Sequence, residues 1–123
     1  MIYLYYFSNA KKLKLEDKVE INNKKYSTLN LSGGQRKRIA LLQCFLENRP
    51  IYLFDEWAAD QDPIYRKTFY TELLPEMKKL GKIIIAITHD DHYFDVADKV
   101  IKLDLGKMEY LTNNYKKEII QLN

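Results

Sequence analysis

Pro50-Ile51-Tyr52-Leu53-Phe54-Asp55-Glu56 restricts the fold more than any other stretch of the chain. Four consecutive apolar residues, introduced by a proline and closed by two carboxylates, predict a fully buried parallel strand that delivers Asp55 and Glu56 at its carboxyl end. In open α/β sheets that edge is where ligands bind. One carboxylate there can hold a divalent cation while the next takes a proton from a water, a division of labour that suits phosphoryl transfer. The alternative reading is two solvated residues opening a loop.

A second apolar run, Lys82-Ile83-Ile84-Ile85-Ala86-Ile87-Thr88, predicts another buried strand, whose end presents His89, Asp90 and Asp91. Between the runs, Asp62-Pro63 has the form of a helix start, a capping carboxylate followed by proline in the first turn. Tyr65, Phe69, Tyr70, Leu73, Leu74 and Met77 line one face of that helix, Pro75 should kink or shorten it, and Gly81 closes it. Two parallel strands joined by a right-handed helical crossover would bring His89 to the same sheet edge as Asp55 and Glu56.

Upstream, Leu31-Ser32-Gly33-Gly34-Gln35 precedes a helix over Arg36–Glu47, with Ile39, Leu42, Phe45 and Leu46 at helical spacing. Ser32 and Gln35 stand three apart, as in a capping box. Gly33 and Gly34 carry no side chains, so a ligand can approach backbone N–H donors at the positive end of the helix dipole, which makes an anion site. Plain capping beside a flexible double glycine is the simpler alternative.

Elsewhere the pattern predicts a helix over about Ile2–Glu16, an irregular or hairpin-like excursion over Glu20–Asn30 and a short helix over Asp91–Ala97. A third strand over Lys99–Leu105, a turn at Gly106, an extended piece around Met108–Leu111 and a polar helical tail complete the chain. The 123 residues carry 20 Lys+Arg against 17 Asp+Glu, a balance that gives no argument for nucleic acid. The basic clusters, Arg36-Lys37-Arg38 among them, read as solvated helix faces. No apolar run approaches the 18 or so residues of a membrane span. Cys44, the single cysteine, reads as a packed thiol.

These residues carry a resemblance. Leu31–Gln35 is similar to the signature motif of the ATP-binding cassette (ABC) ATPases, Ile51–Glu56 to their Walker B strand, Ala59-Asp60-Gln61-Asp62 to their D-loop and His89 to their switch histidine. Trp57-Ala58-Ala59-Asp60-Gln61, in place of the commoner Pro-Thr-Ser-Ala-Leu, resembles bacterial exporters of the cyclic-peptide and siderophore type. The resemblance implies a partial P-loop NTPase fold: a mainly parallel α/β sheet flanked by helices, with part of the helical subdomain. About 1–48 would be the helical, signature-bearing part and about 49–123 the Walker B, D-loop and switch part.

It further implies ATP with Mg2+. Asp55 would support the ion, Glu56 would polarise the attacking water, and His89 would contact the γ-phosphate. Ser32, Gly33 and Gly34 would bind the γ-phosphate held by the opposite subunit of a head-to-tail dimer, with Gln35 closing the motif and Asp62 linking the two sites. The implied partners are a P-loop-bearing half or second nucleotide-binding domain and the transmembrane domain of an exporter, at the cytoplasmic side of the membrane. The phosphate-cradling Gly-x-x-x-x-Gly-Lys-Ser/Thr loop (Walker A) is absent from the 123 residues. The expectation is therefore a distal half of the domain, inactive alone, with a gap in its sheet between the Ile83–Thr88 and Lys99–Leu105 strands. That gap would be closed by pairing them directly or by recruiting another chain, or would leave edges open to aggregation. A non-catalytic dimerisation or regulatory module is the alternative. An SMC-like ATPase head lacks supporting heptads, and a metal site at His89-Asp90-Asp91-His92 lacks zinc-like spacing.

Overall fold

A computed structural model describes residues 21–22, 25–26 and 31–113. The expected helix over Ile2–Glu16 and the polar tail lie outside the described residues. The chain divides into two compact units at the Ile87–Thr88 junction.

In the first unit, strands β1 (Ile21–Asn22) and β2 (Lys25–Tyr26) pair antiparallel, the hairpin-like excursion expected there. Helix α1 (Gly33–Glu47) starts on Ser32, whose extended backbone is that of an N-cap. Its Oγ accepts from the Gln35 N–H at 3.2 Å, and Gln35 Oε1 accepts from the Ser32 N–H at 2.9 Å. Both halves of the capping box are thus formed. The helix ends at Asn48, in the left-handed conformation that asparagine tolerates. Ile39, Leu41, Leu42 and Phe45 are buried along one side of α1. The Tyr52 hydroxyl fixes the passage into the next strand by donating to the Cys44 carbonyl at 3.1 Å and accepting from the Arg49 N–H at 2.9 Å.

Strand β3 (Ile51–Asp55) pairs parallel with β4 (Ile83–Ile87), in register from Ile51 opposite Ile83 to Asp55 opposite Ile87. The crossover between them begins as α2 (Pro63–Thr68) and finishes as α3 (Leu74–Lys79), with a π-helical turn over Phe69–Leu73 between the two. Pro75 lies just beyond that turn. It has no N–H to donate, and the wider turn, in which the Leu74 N–H reaches the Phe69 carbonyl, lets the helix run past it. Pro75 therefore neither ends nor shortens the helix at this point. Gly81, at φ +78°, turns the chain into β4.

Burial corrects one expectation. Tyr52 and Phe54 are buried on one face of β3, where Phe54 meets the Phe69 ring edge-on at 5.2 Å. On the other face Ile51, Leu53, Ile83, Ile85 and Ile87 are 50–64% exposed. The strands are thus covered on one side rather than two, because no layer among the described residues packs on the second face.

In the second unit a 3₁₀ turn (Asp91–Val96) leads into an antiparallel hairpin of β5 (Lys99–Asp104) and β6 (Lys107–Asn113). Leu105 and Gly106 both take positive φ, the two-residue turn that matches strand twist. Within each unit the ladders are separate pairs, β3 with β4 and β5 with β6.

Candidate functional site

The start of α1 exposes a backbone that the fold itself does not require to be glycine. Neither Gly33 nor Gly34 has positive φ; a Cβ on Gly33 would meet nothing within 4 Å, and one on Gly34 would make only ordinary contacts at 3.7–3.8 Å. Glycine is among the poorest helix formers, and neither torsion nor crowding explains it here. What the pair does is leave the Gly33 and Gly34 N–H groups open to approach at the positive end of a helix of 15 residues, while the Gln35 N–H is taken by the Ser32 cap.

At the carboxyl end of β3 the chain turns sharply. Asp55 is the last strand residue and is exposed, while Glu56 leaves the strand in the left-handed region at φ +49°. Such a conformation costs a non-glycine residue about 1–2 kcal/mol and is concentrated at functional positions. The Glu56 N–H remains satisfied, donating to the Ile87 carbonyl at 2.9 Å. Glu56 is thereby tied to the end of β4, two residues ahead of His89 in the chain. His89 itself belongs to the second unit, which begins at Thr88.

Residues 57–62 lie against α1. The Trp57 indole stacks on Phe69 at 4.4 Å and donates to the Lys37 carbonyl at 3.2 Å. Lys37 Nζ pairs with Asp60 at 2.6 Å, and this hydrogen bond and charge hold the exposed Asp60 carboxyl below the usual aspartate range. Gln61, 4% exposed, accepts from Arg38 at 3.2 Å and donates to the Gly34 carbonyl at 3.3 Å. Arg38 also lies over the Tyr65 ring at 3.9 Å. Arg38 is therefore buried, not part of a solvated basic face, because an amide and an aromatic ring receive its guanidinium. Asp62 caps α2, its Oδ1 accepting from the Ile64 and Tyr65 N–H groups at 3.2 and 3.4 Å.

Ser32–Gln35, Asp55, Glu56 and Asp62 thus share the first unit, and the loop that ends in Asp62 touches the turn that carries Gly34. The Gln61–Arg38 and Lys37–Asp60 links escaped sequence reasoning; the one hint was the unusual Trp57–Gln61 stretch. Among the described residues no three His, Cys, Asp or Glu side chains are grouped to hold a metal, the stretch from His89 to His92 included. That stretch instead sets up the 3₁₀ turn, with the Thr88 hydroxyl accepting from the Asp90 N–H at 3.0 Å. Cys44 is half-buried; burial first and the neighbouring Glu47 second push its thiol up.

Comparison with known proteins places this arrangement. The ABC transporter family profile matches residues 8–59. The ATP-binding protein SyrD of Pseudomonas syringae pv. syringae is 61% identical over 95 residues, covering 76% of this chain. A dimeric structure of the ATP-binding cassette MJ0796 bound to ADP and Pi superposes with a TM-score of 0.70 over 88% of the chain, at 25% identity. The chain belongs to the ABC transporter ATPases. The glutathione/L-cysteine transport system ATP-binding/permease protein CydD of Bacillus subtilis is 36% identical over 106 residues, covering 81% of this chain. This ABC ATPase segment spans 17% of SyrD, 18% of CydD and 45% of the solved cassette chain. Its parallel strand pair and crossover helix thus belong to a partial P-loop NTPase fold. No helix among the described residues is long and apolar enough to cross a membrane.

Proposed function

We propose that this chain supplies the signature helix, the acidic strand end and the switch histidine of the nucleotide-binding domain of an exporter, and that a P-loop outside these 123 residues holds the nucleotide. The observation that carries the reading is the start of α1, where two glycines that neither torsion nor crowding requires leave backbone donors open. Ser32, Gly33 and Gly34 receive the γ-phosphate of ATP bound by the opposite subunit of a head-to-tail dimer, and Gln35 fixes the turn. Glu56, at its strained turn just after the strand, polarises the attacking water. His89 contacts the γ-phosphate, and Asp62 links the two sites.

Asp55 is the residue to hold Mg2+. Exposed at the carboxyl end of β3, it offers one carboxylate to an ion that takes the rest of its ligands from substrate phosphates and water. When bound, the ion supplies neutralisation of phosphate charge. The likeness to SyrD supports the exporter class, with a peptide or siderophore as cargo. The dimeric state of the solved cassette supports pairing with a second nucleotide-binding domain, and a transmembrane domain would then anchor the assembly at the cytoplasmic face. A second reading, a non-catalytic dimerisation or regulatory module, has in its favour that these 123 residues contain no P-loop.

The test is ATP-driven association with a P-loop-bearing cassette segment, followed by light scattering in a Glu56→Gln background that slows hydrolysis. Association is expected with Ser32 and is lost in Ser32→Arg, which places a bulky cation at the approach point. Loss of the serine cap alone would cost the helix only about 0.5–2 kcal/mol. If Ser32→Arg associates normally, the phosphate role of this turn is wrong.

A further inference from the structure

We propose that Gln61 is a positioning residue that fixes the peptide between Gly34 and Gln35, and with it the direction of the open Gly33 and Gly34 N–H groups that receive phosphate, and joins this turn to the loop bearing Asp62. The role rests on the reading of Ser32–Gln35 as a phosphate site. The Gly34 carbonyl and the Gln35 N–H are the two ends of one planar peptide unit. Gln61 Nε2 donates to the carbonyl end at 3.3 Å, and Ser32 Oγ accepts from the N–H end at 3.2 Å. With both ends held, the neighbouring first-turn N–H groups have a fixed direction.

Gln61 can do this because it is itself held. It is buried, and its Oε1 accepts from Arg38, whose guanidinium is pinned on the Tyr65 ring. Lys37–Asp60 and Trp57–Lys37 brace the same two segments from outside. The start of α1 and the loop from Trp57 to Asp62 therefore move together. A phosphate drawn against Gly34 pulls on Gln61, and the next residue, Asp62, transmits the displacement. A leucine here, as in the commoner form of this loop, would leave the Gly34 carbonyl without that donor.

Gln61→Glu separates the two bonds. The carboxylate keeps the acceptor for Arg38, but it has no N–H for Gly34 and sets a second acceptor against that carbonyl. In the chain alone, hydrogen exchange of the Gln35 amide is expected to speed up at least tenfold in Gln61→Glu, with Leu41 and Leu42 unchanged. Mixed with a P-loop-bearing segment, Gln61→Glu should lower kcat at least tenfold and leave the KM for ATP within twofold, because the nucleotide is bound elsewhere. Gln61→Leu should do the same at reduced stability; should it fail to fold, Gln61→Glu decides alone. Unchanged Gln35 exchange, a wild-type kcat, or a raised KM with kcat intact each overturns the proposal. If Ser32→Arg blocks association while Gln61→Glu behaves as wild type, only this inference fails; if Ser32→Arg is also without effect, the phosphate reading itself fails.

Discussion

Replacing Leu53 and Ile85 by threonine tests whether the open face of the β3–β4 pair is a surface for another polypeptide. The two residues face each other in register on that side, 64% and 51% exposed. Fully burying one such side chain is worth about 1.5–3 kcal/mol, so covering the exposed half of each of the five residues yields roughly 4–8 kcal/mol. That rivals the total stability of a small domain, about 5–15 kcal/mol. Threonine has the β-branched shape that strands favour, kept at Ile85 and introduced at Leu53. In the chain alone each substitution should therefore shift stability by no more than about 0.5 kcal/mol, measured by denaturant titration. Against a P-loop-bearing segment the pair should remove about 2 kcal/mol of association, a roughly 30-fold rise in Kd by calorimetric titration. A loss of 2 kcal/mol or more in the chain alone would mean that the face is already covered. An unchanged Kd would mean that it is not the docking surface.

Glu56→Gly should raise the stability of the chain by about 0.5–1 kcal/mol in thermal unfolding, since glycine adopts the left-handed turn without strain, while abolishing any turnover in the assembly. Gly34→Ala should leave stability within about 0.5 kcal/mol, its Cβ making only ordinary contacts, yet weaken ATP-driven association by light scattering. Cys44, kept protonated chiefly by burial and secondly by Glu47, should react with iodoacetamide more slowly than free cysteine at pH 8, and faster in Glu47→Gln.

Much of the first unit was legible because its signals are local. Ser32 and Gln35 cap a helix, Asp62 and Pro63 start another, and Gly81 ends it; each is a short-range fit between a side chain and nearby backbone. The two apolar runs also found each other in parallel, as a right-handed crossover requires. What the sequence misled on depends on the third dimension. An apolar run predicts burial on both faces, but which faces are covered depends on layers that the run does not encode. Arg38 reads as one more charge in Arg36-Lys37-Arg38, and only the fold brings Gln61 and Tyr65 to receive it. Pro75 signals disruption, yet whether a helix breaks or widens into a π turn is settled by the packing of Phe69, Tyr70 and Leu73, all buried. The proposed role of His89 rests on its place after β4, and its test is functional.

Magnesium-dependent phosphate release, measured for the chain alone, for the chain mixed with a P-loop-bearing segment, and for the same mixture carrying Glu56→Gln, bears most directly on the proposed division of the site. The chain alone should release no more phosphate than its Glu56→Gln variant. The mixture should turn over, and Glu56→Gln should slow it by about 10²–10⁴-fold while ATP stays bound. Robust release by the isolated chain, or equal release with and without the Glu56 carboxylate, would contradict the assignment of this segment as the half that activates water for a nucleotide held elsewhere.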